Sequence, residues 1–159
     1  MTQKDKDLLL KDLCARLLYG VKILHETWNY EWDQELSVLE RVVGIDETFI
    51  YVKVIDEHTG EEYRDDSHTI DLFNDKPFLR PMSSMTEEER EEWADLFMKP
   101  ICELEQYVDE KEAQDTAPVL FGKSHSISID WLNAHHFDYR NLIEKGLALE
   151  APKGMYNIE

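Results

Sequence analysis

Residues 76–97 read KPFLRPMSSMTEEEREEWADLF. Pro77 and Pro81 fix φ and push the residues before them towards extended geometry, so the segment enters as a stiff, non-helical strap carrying Phe78, Leu79 and Met82. Thr86 followed three residues later by Glu89 is a capping box, in which the hydroxyl takes a free amide of the first turn and the carboxylate reaches back to the cap. Glu87 and Glu88 add negative charge where the helix dipole is positive. Trp93, Leu96 and Phe97, three and four apart, give the helix one apolar edge. Strap and helix together predict a brace laid across a sheet.

Working towards the N-terminus, the period changes to two. Segments 21–26, 37–45, 48–55 and 68–73 are rich in Val, Ile, Leu, Phe and Tyr and predict an antiparallel meander over 21–75. Asp46 and Glu47 leave room only for a tight turn, and His58, Thr59 and Gly60 mark another, after which residues 61–64 return. Short sequential strands of this kind predict a small, strongly bent sheet or partial barrel. Before them, residues 5–18 place Leu9, Leu10, Leu13, Cys14, Leu17 and Leu18 on one helical stripe that stops at Gly20, so 1–20 is a docking helix.

Between the first two strands, Trp28, Tyr30 and Trp32 alternate with Asn29, Glu31 and Asp33. The ordinary reading of such alternation is a half-buried hairpin arm that closes the sheet. The sharper reading is an exposed aromatic strip that meets a partner, because Trp and Tyr dominate interface hot spots.

Towards the C-terminus, Pro100 interrupts the acidic helix, while Ile101, Leu104 and Val108 keep helical spacing to the end of the 76–108 segment. Between residues 86 and 115 twelve acids face three bases, so half of the net charge of −18 sits there. A solvated helix face is the default account of such a run. Residues 109–126 are expected to be a loop. Ser128 is a candidate N-cap with Ile127 and Leu132 as its staple, and Asp138 caps a second short helix ending at Gly146, so 127–159 is a helical corner and tail. The whole 1–159 is expected to be a single α+β domain, a sheet braced by an N-terminal helix, a central acidic helix and short C-terminal helices.

The charge balance, 35 acids against 17 bases, opposes binding to nucleic-acid phosphates and to anionic membranes. No run is long and apolar enough for a membrane span, since Lys11 and Asp12 break the first one. Cys14 and Cys102 lie within apolar helical patterns, as buried thiols of a reducing cytosol would, which predicts a cytoplasmic protein.

Few constellations carry chemistry. His135 and His136 are neighbours on a helix and point about 100° apart, whereas zinc-binding helices use positions i and i+4. The run Asp56, Glu57, Glu61, Glu62, Asp65 and Asp66 lacks the ligand order of a calcium loop and reads as a solvated hairpin. Neither cysteine has a motif for a thiolate nucleophile, and the serines occupy caps and turns. The expectation is no catalytic residue, no metal and no cofactor.

Residues 76–89, KPFLRPMSSMTEEE, and 131–152, WLNAHHFDYRNLIEKGLALEAP, resemble segments of small uncharacterised proteins of Bacteroides-type gut bacteria and their phages or mobile elements, with DLCARLLYGVK at 12–22 as a third anchor. The resemblance implies a cytoplasmic setting and a mobile-element origin, and it brings no activity. The function expected is therefore a non-catalytic interaction or accessory protein. Its partner-binding candidates are Trp28, Tyr30 and Trp32, with Glu87, Glu88, Glu91 and Glu92. Two alternatives are an inhibitor that imitates nucleic acid through residues 86–115 and a metal-dependent enzyme using His135 or His136.

Overall fold

The alternation after Val21 forms β1 (Lys22–Asn29), β2 (Gln34–Ile45), β3 (Phe49–Ile55) and β4 (Glu62–Thr69), each antiparallel to the next. The structure is a computed structural model that describes residues 1–29, 31–46, 48–69, 75–102 and 110–156, with only the backbone of 110–113 and 115. β5 (Asp75–Leu79) pairs antiparallel with the other side of β1, and β6 (Leu149–Glu150) runs parallel to β5. One open, six-stranded, mostly antiparallel sheet results, in the order β4, β3, β2, β1, β5, β6. With the helices below it makes the fold α+β, as the alternating periods predict.

Side chains of one parity turn inwards. Val21, Ile23, Val42, Ile50, Val52 and Leu79 meet Leu9 and Leu13 of the first helix and Leu142, Leu147 and Ala148 of the C-terminal corner. Each buried Leu, Ile or Val adds about 1.5–3 kcal/mol relative to exposure, so this cluster is the main source of stability. The register shifts between Val42 and Gly44 on β2 and between Val54 and Ile55 on β3. Such bulges bend a strand and increase its twist. The two tight turns are built on aspartates: Asp46 Oδ1 accepts from the amides of Thr48 and Phe49, and Asp56 Oδ1 from those of His58 and Thr59.

α1 (Gln3–Arg16) opens on a capping box of Thr2 with Asp5, and after a 3-10 turn at Leu17–Tyr19 it stops at Gly20, whose φ of 68° is left-handed. Leu9 and Leu13 of the predicted stripe are buried and Leu17 packs beside them, but the rest of the buried side is Asp12 and Arg16 in place of Cys14 and Leu18. Leu18 is 91% exposed, and Cys14 and Cys102 are both exposed, which corrects the expectation of buried thiols. The reason is an ion pair. Arg16 Nε donates to Asp12 Oδ2 at 2.7 Å and its Nη2 to the carbonyl of Phe137 at 2.7 Å, while Arg140 Nη1 reaches Asp12 Oδ1 at 2.5 Å. This knot ties the helix to the C-terminal corner and turns Cys14 outwards.

The strap is corrected too. Residues 75–79 are strand β5, with Pro77 opposite Ile23, because the fixed φ of proline is compatible with a short strand and removes only one amide. α2 (Glu87–Cys102) carries the capping box as read: the Thr86 amide donates to Glu89 Oε2 at 2.8 Å and the Glu89 amide to Thr86 Oγ1 at 3.2 Å. Arg80 holds both oxygens of Glu89, at 2.8 and 2.9 Å, and lies over the Phe137 ring. Trp93 and Leu96 pack on a second cluster of Met85, Trp131, Leu132 and Phe137.

Two C-terminal expectations fail. The loop assigned to 109–126 and the start at Ser128 are replaced by one helix, α3 (Glu110–Ala134), through Pro118 and Gly122. Packing overrides these breakers: Ser124 Oγ donates to the carbonyl of Phe97, and Trp93 Nε1 to that of Ser128 at 3.3 Å, so small residues bring α3 against α2. The short helix from Asp138 is a run of turns, although its ends are as read. Asp138 accepts from the amides of Leu142 and Ile143, and the Leu147 amide closes onto the Leu142 carbonyl beside left-handed Gly146. Among the described residues no helix is long and apolar enough to cross a membrane.

Candidate functional site

Of the aromatic candidates, Trp28 is the last residue but one of β1 and Trp32 lies in the turn before β2, and they are 46% and 64% exposed. A hairpin arm is present, but these two rings do not close the core. Asn29 Oδ1 accepts from the amides of Glu31 and Trp32, and strand pairing persists to Asn29 opposite Gln34. Tyr30 lies outside the described residues.

Glu87, Glu88, Glu91 and Glu92 are all exposed on the first turns of α2. The acids of the same run at 103, 105 and 109 lie outside the described residues, as do the side chains of 110, 112 and 115. The acidic hairpin meets its own bases: Glu62 pairs with Arg41, Asp65 with Lys53 and Asp66 with Arg64. A cleft of about 510 Å³ between residues 80–89 and the tail at 150–156 includes the Arg80 and Glu89 pair in its wall.

His135 stacks on Trp131 and its Nδ1 lies 2.9 Å from the Trp131 carbonyl. His136 is buried face to face with Tyr156, ring centroids 3.6 Å apart, with φ at 58°. Burial, with the positive charge of Arg16 nearby, lowers its pKa to about 3. Two neighbouring imidazoles thus face different surroundings, and among the described residues neither belongs to a set of three groups that could hold a metal ion.

A grouping of titratable side chains lies elsewhere, at residues to which sequence reading assigns no role. His25 on β1 is opposite Asp75 on β5, and their Nδ1 and Oδ1 atoms are 2.7 Å apart. His68 on β4 stacks on His25 with centroids 3.9 Å apart and planes 21° from parallel. Its Nε2 lies 2.9 Å from Oε2 of Glu40 on β2, and its Nδ1 is 3.8 Å from the same Asp75 oxygen. In a flat sheet three strand spacings of about 4.8 Å would hold β1 and β4 about 14 Å apart. The curl of the sheet brings them together. Asp75 is fully buried and Glu40 nearly so, while the imidazoles are partly open. His25, His68 and Asp75 each bring a possible ligand atom within 4.8 Å of the others, the only such set among the described residues.

Burial pushes the His68 imidazole down, but the Glu40 hydrogen bond and the charges of Asp75 and Glu40 outweigh it, so its pKa lies above the ordinary value. One signal of this cluster is present in the sequence: His25 and Glu40 share the strand parity of Ile23 and Val42, the core positions two residues away. A polar residue on the buried face of an apolar alternation asks for a partner. The chain matches no protein-family model, no curated protein and no solved structure.

Proposed function

We propose that this chain is a non-catalytic interaction protein, of the mobile-element origin its resemblance implies, that docks a protein partner on the end of the β1 and β2 hairpin. The observation that carries the reading is the joint exposure of Trp28, on a paired strand, and Trp32, in the turn whose amide Asn29 holds. Large aromatic side chains on a rigid support give much contact area for little ordering cost, and Trp is the residue most enriched at interface hot spots. Glu31, Asp33 and Glu35 flank the two rings, which suits a partner whose apolar contact is rimmed by Lys or Arg.

The test is affinity capture from the host with three baits: the wild type, Trp28→Ala/Trp32→Ala, and a variant with Glu87, Glu88, Glu91 and Glu92 all changed to Gln. The expected result is a partner retained by the glutamine variant and lost by the alanine variant. A partner lost only by the glutamine variant would replace this reading with nucleic-acid mimicry, and that complex would weaken steeply between low and moderate salt.

A further inference from the structure

His25, His68 and Asp75 differ from an ordinary satisfied histidine pair in two respects. One carboxylate oxygen is shared by two imidazole nitrogens, 2.7 Å from His25 Nδ1 and 3.8 Å from His68 Nδ1. Ligands on a tetrahedral zinc ion with bonds of about 2.0–2.1 Å stand about 3.3 Å apart, so the first of these distances must open and the second close by about half an ångström, and the three ligand atoms already lie within 4.8 Å of one another. Behind His68, Glu40 contacts the other ring nitrogen at 2.9 Å. A carboxylate in that position accepts from Nε2–H and fixes the ring, so that Nδ1 faces the Asp75 oxygen and, at 3.3 Å, the Thr69 carbonyl, where a metal ion would take the place of its proton.

We propose that His25, His68 and Asp75 bind one divalent transition-metal ion of the zinc class, with Glu40 as the residue that positions His68. Imidazole and carboxylate together suit zinc, cobalt, nickel or iron(II) over calcium and magnesium, which take all-oxygen sites. Three protein ligands leave at least one position to water. The site lies inside the curled sheet, separate from the hairpin end and from His135 and His136.

The full-length chain, freed of metal with a chelator, is titrated with Co²⁺ and then with Zn²⁺. The expected result is uptake of about one equivalent of Co²⁺ with the visible absorption of a low-coordinate site, displaced by equimolar Zn²⁺ and resistant to a large excess of Mg²⁺. His25→Gln and His68→Gln each weaken Co²⁺ binding at least about tenfold, and Glu40→Gln weakens it about 10- to 100-fold. His135→Gln leaves it unchanged. Circular dichroism of the metal-free variants confirms that they fold. Independently of any variant, Zn²⁺ added to the wild type shifts the NMR signals of the His25 and His68 rings before those of His58 and His125. Failure of the wild type to take up stoichiometric metal, uptake that His68→Gln leaves intact, or a first response at His58 or His125 would overturn the assignment.

Discussion

Two groups of buried charge share this fold and are built differently. In the knot of Asp12, Arg16 and Arg140, one carboxylate is gripped by two guanidinium groups, and Arg16 also donates to the Phe137 carbonyl. In the cluster of His25, Glu40, His68 and Asp75, two carboxylates meet two stacked imidazoles. A guanidinium is permanently charged and offers only donors, so its fork matches a carboxylate and the knot is closed to other ligands. An imidazole nitrogen is a donor or an acceptor according to its proton, so the second group can open onto a cation. The difference teaches that buried charge here serves two ends: the arginine knot fastens α1 to the C-terminal corner, and the histidine cluster pairs its carboxylates with groups that can give up a proton.

The contrast can be broken most severely at the knot. Asp12→Asn leaves two guanidinium groups without a counter-charge, one of them fully buried, and is expected to cost about 3–5 kcal/mol, read from the urea midpoint. The histidine cluster should respond to an added ion: Zn²⁺ at about one hundred times its Kd should stabilise the wild type by about 2.7 kcal/mol, reversed by chelator and absent in His68→Gln. No such gain is expected from the knot, since its carboxylate is already occupied.

His136, beside the Arg16 charge, sharpens the comparison through pH. Its folded pKa of about 3 lies below an unfolded value of about 6.5, so the unfolded chain binds the proton more readily. Its contribution is fully present above pH 6.5 and declines as pH falls towards 3, by up to about 1.4 kcal/mol per unit. His136→Asn, which tolerates the left-handed backbone, should flatten that slope in denaturation measured across the window. A smaller effect is expected at the cap of α2, where Thr86→Ala should cost about 1 kcal/mol, seen as a lower urea midpoint with the same slope. Smallest of all, Trp28→Ala with Trp32→Ala should move stability by within about 0.5 kcal/mol, so any loss of a partner in that variant reports binding and not unfolding.

The meander from Val21, the tight turns at 46 and 58–60, the Thr86 capping box and the two ends of the segment from Asp138 to Gly146 could all be read from the chain, because each is set by residues within a few positions of one another. The 25-residue α3 could not. Pro118 and Gly122 speak against a helix locally, and what overrules them lies at Trp93 and Phe97 of α2, more than twenty residues away. Arg16 and Asp12 fall outside the apolar stripe of α1 yet are buried, and nothing local foretells it, since their partners Phe137 and Arg140 are over 120 residues distant.

What the sequence determined by itself was the class of fold: periods of two and 3.6, caps and turn aspartates are short-range properties, and they specify which segments become strands and helices. Tertiary structure alone decided where chemistry could occur. His25, Glu40, His68 and Asp75 belong to four strands, and only a sheet bent at its bulges closes a separation of about three strand spacings into hydrogen-bond and ring contact.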